Sequence, residues 1–135
     1  AFYVVSLTDN DNYPKPKAGF TIENELVALN RISQNLKGDI IMLYYNSEYS
    51  LRKLLKRLMW PDLKFVVGCY RGTVSKAVNT INNIPYAYIG ESSNTVGHIS
   101  VKRSGNRTVF DFDAVPYYGI FREDIYIRNI MELSR

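Results

Sequence analysis

The sequence predicts an α/β fold: a mixed, largely parallel sheet with helices on both faces, a three-layer sandwich, plus an antiparallel hairpin near the C-terminus. Strand-length apolar runs alternate with helix-period segments three times before Gly90, the order that builds parallel sheets through right-handed crossovers. The central run, Asp39 to Tyr45, is nearly continuous in apolar character, as a strand covered on both faces must be. Beyond Gly90 the pattern changes to two-residue alternation on either side of Ser104-Gly105-Asn106, which marks a hairpin with one face in water. The 135 residues, 46% hydrophobic, suit one domain spanning 1–135 with a single core.

Phe2 to Leu7 is an apolar, β-branched first strand. Thr8 to Lys17 follows as a loop, because its Asx residues favour turns and Pro14 and Pro16 forbid regular structure. Thr21 is the expected cap of the first helix, with Glu23 and Glu25 in its first turn. Ile22, Leu26, Leu29, Ile32 and Leu36 give it one apolar stripe, and Gly38 stops it. After the strand at Asp39–Tyr45, Asn46 or Ser47 caps a second helix. Leu51, Leu54, Leu55, Leu58 and Met59 form its stripe, and Pro61 closes it. Leu63 to Val67 is the third strand. Val74, Ala77, Val78 and Ile81 then predict a third helix capped by Thr73, broken at Asn82-Asn83 before a fourth strand from Pro85 to Gly90. Ile127, Ile130 and Met131 predict a final helix after about Phe121.

Composition excludes several classes of chemistry. Cys69 is the only cysteine and His98 the only histidine, so neither an internal disulfide nor a Cys/His zinc cluster can form. No run reaches the ~18–20 apolar residues of a membrane span, and no signal-peptide pattern opens the chain, so no membrane partner is expected. Ala1 reads as what remains after initiator-Met removal, which implies a cytoplasmic location. The net charge of +4 tilts the expected partner toward a polyanion. Abundant Tyr, Asn and Ile match the usage of AT-rich genes, phage and viral genes among them.

Two groups of residues are candidates for binding phosphate or nucleic acid. Arg52, Lys53, Lys56 and Arg57 adjoin the leucine stripe of the second helix as a cationic face, with Trp60 beside it as a stacking surface. Arg71, Gly72 and Thr73 sit where a strand feeds a glycine-flanked turn into the predicted third helix, a geometry that offers backbone N–H groups to an anion. In such sheets ligands gather beyond the carboxyl ends of the strands. Asp9, Asp11 and Glu91 lie in the segments that would meet there, so they are the candidate ligands of a divalent metal such as Mg.

Three short patterns resemble known families. Gly68-Cys69-Tyr70-Arg71 with Tyr88-Ile89-Gly90 resembles the paired motifs of GIY-YIG nucleases, which imply a compact hairpin; here a longer, helix-patterned segment intervenes. Asp62-x-Lys64, preceded by Glu25 and Asp39, resembles the PD-(D/E)xK nuclease order. Asp111-Phe112-Asp113 resembles the metal-binding DxD of glycosyltransferases and the first motif of haloacid-dehalogenase phosphatases, although in the latter it would open the chain.

The sequence therefore leaves three classes open. One is a protein that binds nucleic acid or another phosphate-rich ligand, with a metal-dependent nuclease or phosphoryl-transfer enzyme as its catalytic form. The second is a non-enzymatic inhibitor or adaptor, phage- or virus-encoded, that binds a partner protein through tyrosines such as Tyr13, Tyr45, Tyr117 and Tyr118. The third is a nucleotide or nucleotide-sugar binding enzyme.

Overall fold

The computed structural model describes residues 2–8, 22–90, 95–105 and 107–116. The elements run β1 (Phe2–Thr8), α1 (Glu25–Asn35), β2 (Asp39–Tyr45), α2 (Glu48–Arg57), β3 (Leu63–Gly68), β4 (Asn79–Ile81), β5 (Ile84–Tyr88), β6 (Thr95–Ser104) and β7 (Arg107–Pro116). The first five strands form one sheet in the order β1-β2-β3-β5-β4, and β6 and β7 form a separate two-stranded hairpin. Four strands are mutually parallel; β4 alone runs against β5.

Helix α1 starts later than the Thr21 cap implies. Asn24 takes the cap position, its side chain accepting from the Leu26 amide at 3.0 Å. Helix α2 is capped by Ser47, whose hydroxyl accepts from the Ser50 amide at 3.2 Å. It ends at Arg57, ahead of Pro61, with the Leu58 N–H still bonded to the Leu54 carbonyl at 3.0 Å.

Because β1, β2 and β3 are adjacent in chain order, two right-handed crossovers must lie on the same side of the sheet. They do. Leu29 of α1 and Leu51, Leu54 and Leu55 of α2 join Leu7, Ile40, Met42, Tyr44, Val66, Tyr86 and Tyr88 in one buried cluster. A second cluster, on the opposite face, holds Phe65, Val67 and Ala87 with Phe112, and Ile99, Phe110 and Ala114 pack against it. Among the described residues, then, both helices cover one face and the β6–β7 hairpin covers the other. The Phe65 and Phe110 rings lie 5.1 Å apart. Gly97 is where the hairpin meets the sheet most closely: a Cβ there would lie 2.5 Å from Ile89. At the hairpin's far end Arg103 bonds Asp39 at the start of β2. Farther along this face, over β1 and the end of β2, Val4, Leu43 and Tyr45 remain exposed.

The third helix expected from Val74 to Ile81 does not form. Val74 makes an antiparallel bridge to Ile89, the Ser75 N–H donates to the Tyr88 carbonyl at 2.8 Å, and the Ser75 hydroxyl accepts from the Tyr88 N–H at 2.8 Å. Asn82 and Asn83 adopt φ of 49° and 62°, the left-handed pair that closes a two-residue hairpin between Ile81 and Ile84. Asparagine tolerates that conformation, and the β-branched Val78, Thr80 and Ile81 suit extended backbone. Hairpin pairing outweighs the helical spacing. The final helix expected after Phe121 lies outside the described residues.

Tyrosines fill space beside α2. Tyr88 lies directly on Gly68, where a Cβ would overlap its ring. Tyr86 meets Tyr88 edge to face at 6.4 Å. Replacing Gly68 by alanine is expected to destabilise the fold by about 1–3 kcal/mol in urea denaturation, since the tyrosine has no room to retreat. Gly72→Ala, with nothing within 4 Å, is expected to leave the midpoint unchanged or slightly raised.

Candidate nucleic-acid interface

Helix α2 carries the cationic face, and its position is set from β5 and the β4–β5 turn. At its start, the Tyr88 hydroxyl donates to the Asn46 carbonyl at 3.0 Å, one residue before the cap. One turn on, the Tyr86 hydroxyl donates to Glu48 Oε1 at 2.7 Å and accepts from Arg52 Nη1 at 3.4 Å. At its end, Asn82 Nδ2 donates to the Leu55 carbonyl at 2.9 Å. The helix is thus held at both ends.

The four cations differ in their surroundings. Arg52 lies 3.8 Å from Glu48, and the Lys53 amine sits 4.3 Å above the Tyr49 ring. Lys56 and Arg57 are exposed in the last turn, where the C-terminal dipole favours positive charge, and among the described residues no ion pair joins either to a carboxylate.

Trp60 is not a stacking surface. Its side chain is only 4% exposed and belongs to the helix-side core, at the start of the turn from Trp60 to Leu63, which the Leu63 N–H closes by donating to the Trp60 carbonyl at 3.0 Å before β3. Its Nε1 is buried without a hydrogen-bond partner, a state that costs about 1–3 kcal/mol. Trp60 instead forms part of the wall of a cleft of about 510 Å³ between the end of α2 and the β4–β5 turn. Leu58, Met59, Pro61 and Ile84 supply apolar surface, Asn82 and Asn83 supply amides, and Lys56 stands at the edge shared with the cationic face. The Lys64 amine, just inside β3, donates to the Pro61 carbonyl at 2.7 Å.

Arg71, Gly72 and Thr73 lie past the opposite end of β3, about 20 Å along the strand from Leu63. Arg71 sits at a φ of 31°, its guanidinium 5.2 Å from the Tyr70 ring, and the Thr73 N–H donates to the Tyr70 carbonyl at 3.1 Å. With no helix following, the row of free N–H groups expected at this turn is not formed. The two candidate groups therefore do not share a surface.

The candidate metal ligands Asp9, Asp11 and Glu91 lie outside the described residues. Among the described residues no three His, Cys, Asp or Glu side chains converge as a metal site would require. Asp111 and Asp113 are exposed on β7, opposite Ser100 and His98. Asp39 bonds Arg103 at the amino end of β2, whereas Glu25 accepts from the Tyr44 hydroxyl at 3.4 Å near the carboxyl end of the same strand. The PD-(D/E)xK set is therefore split across the sheet. Gly68 and Tyr88 are register partners in parallel neighbours rather than arms of the compact hairpin that the GIY-YIG pattern implies.

The sequence marks Asn46 only as a possible cap and Asn82 only as a break, and gives Glu48 and Tyr86 no role, although these residues seat α2. One further signal was Tyr86-Ala87-Tyr88, which puts two tyrosines on the same face of a strand. No helix among the described residues is long and apolar enough to cross a membrane. No protein-family model matches the chain, and neither the curated proteins nor the solved structures yield a match.

Burial pushes the Tyr86 phenol above 10.0, and its hydrogen bond to Glu48 adds to the rise; burial raises Tyr88 further. Neutral tyrosine is thereby favoured in the folded state. The associated stability is complete below the unfolded value of 10.0 and is lost as pH climbs above it. Tyr86→Phe is expected to lower stability near neutrality by about 0.5–1.5 kcal/mol, through loss of the bond to Glu48. It should also flatten the decline above pH 10.0 in pH-dependent urea unfolding.

Proposed function

We propose that the protein binds nucleic acid through the outward face of α2, centred on its last turn. The observation that carries this reading is the pair Lys56 and Arg57, exposed side by side with no carboxylate partner among the described residues and backed by Lys53 and Arg52 on the same helix. Unpaired cations on a rigid helix suit a phosphate backbone, because neutralising phosphates releases condensed counterions. The reading is one of binding. A metal-dependent nuclease or phosphoryl-transfer activity would draw on Asp9, Asp11 and Glu91 with a divalent ion, and the cationic face would present the strand to it. Nucleotide or nucleotide-sugar binding would use the same helix and adjoining cleft on a smaller ligand.

A second reading has its own support. Val4 is 64% exposed and Leu43 42% exposed on the sheet face that the hairpin leaves bare, and Tyr45 adjoins them. Such a surface would suit an inhibitor or adaptor that docks a partner protein. Leu43→Asp would then abolish co-purification of a stoichiometric partner and leave oligonucleotide binding intact.

The two readings separate cleanly on charge. The double variant Lys56→Glu/Arg57→Glu is expected to weaken oligonucleotide binding by on the order of tenfold or more in fluorescence anisotropy at low salt. Arg71→Ala, at the other end of β3, should bind as the parent does. If the double variant binds unchanged, α2 is not the interface.

A further inference from the structure

We propose that the cleft at the end of α2 receives an unstacked base of a single-stranded nucleic acid whose phosphate lies on Lys56. This rests on the nucleic-acid reading of α2 and names what that surface would select. The cleft holds about 510 Å³, within the range typical of small-molecule sites and ample for one base. Its lining is largely apolar: Met59 and Pro61 are exposed, with the buried Leu58, Trp60 and Ile84 behind them, and apolar surface is what an unstacked base packs against.

Charge supplies the second part of the argument. Lys56 belongs both to the cleft and to the cationic face, so one residue joins a site for a base to a site for its phosphate. Polarity supplies the third. Asn83 brings an amide able to donate and accept. Among the described residues, those that line the cleft include no acid. Bases in a duplex are stacked and paired and cannot enter. The geometry therefore favours single strands, and it favours them without a fixed sequence, since every base offers an apolar face and acceptors.

The chain contains a single tryptophan, and it stands in the cleft wall, so its emission reports occupancy without any substitution. Two titrations of the wild-type chain test the proposal. Uncharged nucleoside should alter Trp60 emission, whereas inorganic phosphate at equal ionic strength should not. A short single-stranded oligonucleotide should bind on the order of tenfold more tightly than an abasic strand of the same length, and more tightly than the corresponding duplex. If the abasic strand or the duplex binds as tightly as the base-bearing strand, and nucleoside leaves the emission unmoved, the cleft does not hold a base. Salt-sensitive binding would in that case keep the cationic-face reading intact. If no strand binds at all, the cationic-face reading fails and this one fails with it.

Discussion

Tyr88 lying on Gly68 is the contact on which the arrangement depends. The bare glycine at the end of β3 lets the ring cross from β5 to its parallel neighbour, and the hydroxyl then reaches the Asn46 carbonyl just before α2. One side chain thus joins two strands and the start of a helix. Tyr86 repeats the device one pleat earlier through Glu48 and Arg52, and Asn82 anchors the other end of the helix through Leu55. The β4–β5 hairpin occupies the place of a third crossover helix and acts as a clamp on α2. The orientation of the cationic face, and its nearness to the cleft, follow from that clamp.

The part of the fold set by apolar periodicity was legible in the sequence. Leu51, Leu54, Leu55 and Leu58 are buried where their spacing puts them, whereas Met59, expected in the same stripe, is exposed because the helix has ended before it. The Asp39–Tyr45 run is an interior strand, but Leu43 and Tyr45 leave its second face partly exposed rather than covered as expected. The terminal hairpin was equally plain, because alternation fixes which residues face inward, and Phe110 and Phe112 do. The segment from Val74 to Ile81 misled because its apolar spacing is compatible with a helix, while its outcome was decided by partners distant in sequence. Ser75 and Val74 pair with Tyr88 and Ile89, and no local pattern announces that. The layer order was hidden for a related reason. Right-handed crossovers between three adjacent strands place α1 and α2 on one side, and among the described residues the β6–β7 hairpin covers β3 and β5 from the other.

The candidate site was legible in half. The charges of α2 were visible as charges, but not that Arg52 is engaged by Glu48 and Tyr86 while Lys56 and Arg57 are not. Trp60 looked like an exposed platform because it follows a basic helix, but at the start of the turn into β3 it packs into the helix-side core. That burial relocated the aromatic contribution from the surface of the helix to the wall of a cleft. It also separated the Arg71–Thr73 turn from the rest, since a ligand on α2 has no need to span β3 to reach it.

If the exposed cations of α2 bind phosphates, the affinity must fall with salt. Each phosphate neutralised on a single strand contributes about −0.7 to the slope of log K against log salt. Two to four contacts from Arg52, Lys53, Lys56 and Arg57 predict a slope between about −1.4 and −2.8 for a short single-stranded oligonucleotide. An affinity that stays flat between about 50 and 200 mM salt would contradict the account, because no binding through these cations could be indifferent to counterions.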